Sequence, residues 1–272
     1  MTPRIAPFRR AAILGLGLIG GSIGLALRQE ALAGSVAGAD PDAAAREGAV
    51  KAGAVDEAFE APASAVRGAD LVVLAAPVGS LPALLEAVQP ALDDDAIVTD
   101  VGSVKTGIVA LGEARMGARF VGGHPMAGSE RSGIAAARAH IFRDSAWAIV
   151  RAQPFGLESD PPAARIAALV SALGARPLLL TSDQHDRLAA LVSHLPHALS
   201  FAFAALIDSD PEQGLAKALA GGSFRDLIRV SKSDARLWQD IFLANRDHLR
   251  EAIAGLRLRL EEIERSLEAD HP

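Results

Sequence analysis

Apolar and polar positions follow two regimes along the chain, and the change falls near Thr181. Before it, short apolar runs at Ala11–Leu16, Val36–Asp40, Leu71–Ala76, Ala96–Val101, Phe120–Gly123, Ala146–Val150 and Arg176–Leu180 read as strands. Helical patterns lie between them, at Ser22–Gln29, Ala43–Ala52, Ser80–Val88 and Ala163–Leu173, and Gln153–Pro162 reads as a surface loop. Such alternation predicts a mostly parallel sheet covered by helices on both faces. After Thr181 no strand pattern appears. Leu188, Leu191, Val192, Leu195, Leu199 and Leu206 share one helical stripe, interrupted by Pro196. Proline has no N–H for the carbonyl of Val192, so a kink is expected there. A last long helix is expected from Asp234 to near Leu267. Its residues Leu249, Ile253, Leu256, Leu260, Ile263 and Leu267 recur in steps of four and three, which makes a narrow apolar seam. A seam of this kind needs a covering surface, supplied either by a second copy or by other helices of the same chain.

Composition narrows the class. A chain of 272 residues, half of them apolar, has room for two modest domains and a sizeable core. With no cysteine, disulfides and thiolate metal sites are excluded. The segment Met1–Arg10 is basic but lacks the clean apolar run of a signal peptide. No stretch reaches the roughly twenty unbroken apolar residues of a membrane helix. The net charge of −6 and the lack of a basic tract argue against nucleic acid. The expectation is a cytoplasmic protein bound to neither membrane nor nucleic acid.

The first strand runs into Gly15-Leu16-Gly17-Leu18-Ile19-Gly20, a G-x-G-x-x-G segment that opens a helix. Gly15 permits a tight turn, Gly17 lets a pyrophosphate approach the backbone, and Gly20 allows close packing of helix on sheet. The helix N-terminus, at Leu18, Ile19 and Gly20, then faces the anion. Asp40 ends the next strand about twenty residues later, where a carboxylate binds ribose hydroxyls. Its neighbours are Pro41 and Asp42 with no adjacent arginine, which favours NAD over NADP. Asp40 also suits a helix N-cap, a role open to Asp42 as well. Ala76, Pro77, Asp100 and Ser103, at later strand ends, are further candidates for cofactor contact. The fold class is therefore α/β, with a Rossmann-like dinucleotide-binding domain over residues 1–181. An all-α domain over residues 182–272 follows, for substrate binding and dimerisation.

Two segments at carboxyl ends of strands carry candidate chemistry: Asp100-Val101-Gly102-Ser103-Val104-Lys105 and Gly122-Gly123-His124-Pro125-Met126-Ala127-Gly128-Ser129-Glu130. His124 is placed to take a hydroxyl proton while hydride leaves the same carbon. Ser103 suits either orienting that histidine, bonding the substrate hydroxyl, or capping a helix. The helical part adds His185, Asp186, Ser193, His194 and His197, whose spacing matches no zinc signature, so no metal is expected. Farther on, Arg225 and Arg229 share a helical face, with Lys232 beyond them. Guanidinium groups suit carboxylates through paired hydrogen bonds, though Lys232 reads as a solvated residue.

Together these segments resemble the prephenate and arogenate dehydrogenase family over nearly the whole chain. The stretches around His124, His194–His197 and Arg229 are more specific than the glycine loop. The resemblance implies oxidative decarboxylation of prephenate or arogenate with NAD as hydride acceptor, in a homodimer and without metal. By that likeness His124 accepts the hydroxyl proton, Ser103 assists, and Arg229 holds a substrate carboxylate. His197 lies near the substrate side chain, while His194, Ser129, Glu130, Arg225 and Trp238 border the pocket. Arg225 is one departure from the family pattern, since lysine is expected there in some relatives; charge is retained. The absence of an obvious carboxylate for an ammonium favours prephenate, and no regulatory domain or fused mutase is expected in this length. Two rivals remain: a β-hydroxyacid dehydrogenase, which needs a helical-domain lysine not matched at Lys217 or Lys232, and a non-catalytic NAD-binding sensor.

Overall fold

Runs of small and β-branched apolar residues form a sheet whose middle is shielded on both faces. The strands are β1 (Ala11–Leu14), β2 (Val36–Ala39), β3 (Glu57–Phe59), β4 (Leu71–Leu74), β5 (Ile97–Asp100), β6 (Phe120–Pro125), β7 (Ala146–Arg151) and β8 (Arg176–Thr181). This computed structural model describes residues 6–128 and 131–268. Every residue of β1, β2, β4 and β5 is buried, as near-continuous apolar strands in a two-sided sheet must be. The strand order is β3-β2-β1-β4-β5-β6-β7-β8. All neighbours pair in parallel except β6 and β7. All seven expected strands are present. The short edge strand β3 was not expected, because its three half-exposed residues carry no apolar run.

Helices α1 (Leu18–Gln29), α2 (Ala43–Lys51), α3 (Pro62–Ala65), α4 (Leu81–Val88), α5 (Thr106–Met116) and α6 (Pro161–Ala172) connect the strands. Ile23 and Leu27 of α1 and Ile166, Leu169 and Val170 of α6 join one core cluster. Leu81, Leu85 and Val88 of α4 join the other, with Ile108, Val109 and Met116 of α5. Burying such a side chain contributes about 1.5–3 kcal/mol, so packing on the sheet holds these helices. Strand β1 lies between β2 and β4, so the chain reverses its direction of travel across the sheet there. That switch point opens a crevice at the carboxyl ends of the strands, where open parallel sheets bind ligands.

Two compact units divide the chain, Met1–His185 and Asp186–Pro272, whereas the sequence pattern placed the division at 181/182. Helix α7 (Ser182–Ala189) spans the boundary, so His185 belongs to the first unit. The second unit continues with a wide π turn, Ala190–His194, then α8 (Leu195–Ser209), α9 (Gln213–Ala218), α10 (Gly222–Val230), α11 (Ala235–Ala244) and α12 (Arg246–Glu268). The disturbance expected at Pro196 takes the form of that π turn. Pro196 lies directly after it, near the start of α8, and the wider turn accommodates a residue that has no N–H to donate.

The single terminal helix expected from Asp234 is broken. Asp234 does cap α11, accepting from the N–H groups of Arg236 and Leu237. Asn245 then leaves helical geometry, at φ −118° and ψ 31°, and its side-chain amide reaches other parts of the helical unit. It donates to the carbonyl of Asp186 at 2.7 Å and to Nδ1 of His194 at 3.1 Å. Residues 182–209 form a helical run long and apolar enough, by length and composition, to cross a membrane. The sequence reading expected no such segment, because His194, Pro196 and His197 interrupt the apolar run without interrupting the helix.

Candidate active site

The glycine loop is shaped by close contacts. Gly15 has φ +105°, and a Cβ there would lie 2.3 Å from the carbonyl oxygen of Ala75. A Cβ on Gly20 would lie 1.9 Å from the carbonyl oxygen of Gly15. Gly17 meets nothing within 4 Å, so its side is open to a ligand. Gly17 is the N-cap of α1 and no side chain caps that end. The first N–H groups, at Leu18 and Ile19, therefore suit a pyrophosphate. Ala76 and Pro77 follow β4, beside β1 across the switch point.

Asp40 is fixed by two backbone donors, Leu16 N–H at 2.8 Å and Asp42 N–H at 2.9 Å. The N-cap of α2 is Asp42, which accepts from Ala44 N–H, so the alternative role for Asp40 falls away. An arginine does stand nearby, contrary to the sequence reading. Arg46 Nη1 donates to the carbonyls of Asp40 (2.7 Å) and Pro41 (2.9 Å). About one turn of α2 brings it back over a loop that sequence adjacency kept apart.

Asp100 was a candidate for cofactor contact, but its carboxylate is fully buried and engaged inside the protein. It pairs with the Lys105 ammonium and accepts from Gly102 N–H (2.8 Å) and Gly123 N–H (3.2 Å). Ser103 is half-buried beyond it, and its hydroxyl makes no hydrogen bond among the described residues.

His124, 9% exposed, sits in β6. Its Nδ1 lies 2.9 Å from Nε2 of His185, and the rings meet edge to face. The residue that meets this nitrogen is therefore His185, which the sequence pattern grouped with the polar residues of the helical part, and not Ser103. No sequence spacing announces a pair whose members are 61 residues apart. Ser129 and Glu130 lie outside the described residues.

In the second unit His197 stacks on Trp238, with ring centroids 3.5 Å apart and planes 17° off parallel. His197 Nδ1–H donates to the carbonyl of Ser193 at 2.9 Å. Burial lowers the pKa of His197 below its usual value, outweighing the opposing effect of that hydrogen bond. The neutral ring then offers Nε2 as an acceptor. His194, expected at the pocket border, is a buried joint held by Asn245 and lying edge-on to Trp238. Arg225 Nη1 donates to the carbonyl of Ala220 at 3.0 Å and so secures the start of α10. Arg229, on the same helix, is exposed, and its guanidinium makes no hydrogen bond or ion pair among the described residues. Among the described residues no cluster of metal ligands occurs.

Comparison with known proteins agrees with this division of labour. Residues 23–176 match the family model for the prephenate dehydrogenase nucleotide-binding domain, and residues 181–271 match that for the prephenate dehydrogenase dimerization domain. The chain belongs to the prephenate dehydrogenase family. It is 32% identical to the prephenate dehydrogenase of Bacillus subtilis (strain 168) over 87% of this chain and 64% of that protein, so it spans just under two thirds of that relative's length. It is 34% identical to the cyclohexadienyl dehydrogenase of Zymomonas mobilis, over 88% of this chain and 81% of the relative. The crystal structure of A. aeolicus prephenate dehydrogenase in complex with hydroxyphenyl propionate and NAD+ superposes with a TM-score of 0.88. That match has 31% identity and covers 98% of this chain and 94% of the other.

Proposed function

We propose that this protein catalyses NAD-dependent oxidative decarboxylation of prephenate to 4-hydroxyphenylpyruvate, the aromatic precursor of tyrosine. The His124–His185 contact, at the carboxyl ends of the strands as the glycine loop is, carries this reading. Gly15–Gly20 and Asp40 have the open cradle and the carboxylate that a dinucleotide requires, with Asp40 binding ribose. When bound, NAD supplies the hydride acceptor. For Nε2 of His124 to act as base, Nδ1 must keep its proton and donate it to His185 Nε2, which then steadies the imidazolium. His124 takes the hydroxyl proton as hydride leaves the ring carbon. The ring carboxylate departs as carbon dioxide, and its electrons make the ring aromatic. The proton then returns from His124 to the phenolate oxygen. Ser103 is assigned to bond the substrate hydroxyl, Arg229 a substrate carboxylate, and His197 and Trp238 the side-chain end; Glu130 and Ser129 are assigned to the pocket border. Incubation with prephenate and NAD, followed at the absorbance of reduced cofactor, tests the reading. No turnover with prephenate or arogenate would reject it.

A second reading, arogenate as substrate, is favoured by His197. A neutral ring whose Nδ1–H is held by Ser193 presents a lone pair, which suits the ammonium of arogenate better than the keto group of prephenate. Protonation reverses this preference. We expect the specificity ratio of arogenate to prephenate to fall as pH drops below 6.5 through the lowered pKa of His197. A His197→Gln variant should lose that trend. A ratio that stays constant as pH falls from 8 through and well below 6.5, to the acid limit of the folded protein, would exclude this role for His197.

The assembly we propose is a homodimer held through the helical unit. Along the seam of α12, Leu249 is buried while Leu260 is 51% and Leu267 82% exposed within one chain. Leu191, Val192 and Leu206 of the 182–209 run are exposed too, and a partner chain would cover such surfaces. Leu256→Glu with Leu260→Glu is expected to give monomers or insoluble protein. Sedimentation of the parent protein at micromolar concentration as a single chain would refute the dimer.

A further inference from the structure

We infer that Asp100 and Lys105 form a positioning clamp that fixes the distance between Ser103 and His124. The inference rests on the assignment of His124 as the base. Regular pairing of β5 with β6 is limited to Val98 with Phe120 and Thr99 with Val121. Beyond that point the regular ladder stops, and side chains take over the connection. Asp100 Oδ1 accepts from Gly123 N–H at 3.2 Å, and Lys105 Nζ donates to the Gly123 carbonyl at 2.8 Å. Both polar groups of the residue before His124 are thus held by one ion pair. Asp100 Oδ2 meanwhile accepts from Gly102 N–H, at the residue before Ser103. The two glycines make this approach possible. A Cβ on Gly123 would lie 2.5 Å from the Asp100 carbonyl oxygen, and one on Gly102 would lie 2.9 Å from Asp100 Oδ2.

Both charged side chains are completely buried. A buried ion pair is a weak source of stability, because desolvating two charges cancels most of their attraction. Its use here lies in geometry. It joins a turn and a strand end exactly one residue away from each of two groups that must meet the same substrate hydroxyl. Misplacement of reacting groups by about 1 Å costs turnover on the order of a hundredfold, so a brace at this place acts on the chemical step.

The test compares Lys105→Met with the double variant Asp100→Asn/Lys105→Met, in which no lone charge is left buried, and with His124→Asn. In folded clamp variants we expect turnover at saturating prephenate to fall about tenfold or more. NAD affinity, measured by fluorescence titration, should change less than about threefold, a difference under 1 kcal/mol. The deuterium isotope effect with substrate labelled at the transferred hydrogen should rise, because hydride transfer becomes more fully rate-limiting; a purely structural role would leave it unmoved. Turnover of the folded double variant within about threefold of the parent, an unchanged isotope effect, or loss of soluble protein in both clamp variants would assign the pair to folding alone and overturn the inference. Retained turnover in His124→Asn would instead reject the base on which the inference rests.

Discussion

Replacement of His124 by asparagine is expected to lower turnover about a hundredfold or more, as removal of a general base does. Asparagine is close in size and keeps hydrogen-bonding capacity, but it does not take up a proton near neutral pH. Nδ1 of His124 is spoken for by His185 at 2.9 Å, so the proton acceptor in the proposed reaction is Nε2. Asparagine can preserve one of these contacts and not the acid–base function. NAD affinity should change little, because the glycine loop and Asp40 do not depend on the imidazole. Steady-state kinetics of the variant, with circular dichroism to verify folding, gives the result. Near-normal turnover in a folded variant would remove His124 from the role of base.

The second large effect is expected at Arg229. Its guanidinium is exposed on α10 and uncommitted among the described residues, whereas Arg225 one turn earlier is bonded to Ala220. A guanidinium grips a carboxylate through two parallel bonds, which sets both its position and its orientation. We expect Arg229→Ala to cost about 2–5 kcal/mol in transition-state binding. The carboxylate is present before and during hydride transfer, so most of the loss should appear as a raised KM, with a smaller fall in kcat. Arg229→Lys should recover only part, since lysine keeps the charge without the planar fork. NAD affinity should be spared. A change in kcat/KM below about threefold, which is under 1 kcal/mol, would mark Arg229 as an ordinary solvated arginine.

What could be read without coordinates was whatever repeats at short range. Strands β1, β2 and β4–β8 were legible because each is an apolar run bounded by turn residues. Edge strand β3 was not, because three half-exposed residues leave no such pattern. The glycine loop was legible because Gly15 and Gly20 answer local steric demands, visible as contacts a Cβ would violate, while Gly17 leaves its side open. The His124 and Arg229 segments were legible as chemistry-bearing residues, the first at a strand end.

Elsewhere the sequence pattern was silent or misled. Continuous helical periodicity hid the break at Asn245, whose amide is drawn to Asp186 and His194, both more than fifty residues away in the chain. Counting neighbours along the chain missed Arg46, which folds back onto Asp40 and Pro41. Asp100 looked like a ligand contact at a strand end, yet tertiary packing buries it against Lys105.

By itself, then, the sequence indicated seven of the eight strands, a glycine loop of dinucleotide-binding form and a candidate base, since these follow from periodicity, turn sterics and position at strand ends. Only the tertiary structure decided that His185 meets His124, that Asp100 and Lys105 brace Gly123, and that His194 is a buried joint. Those pairings cross a sheet or join separate helices, and nothing in local spacing encodes which distant side chains packing will press together.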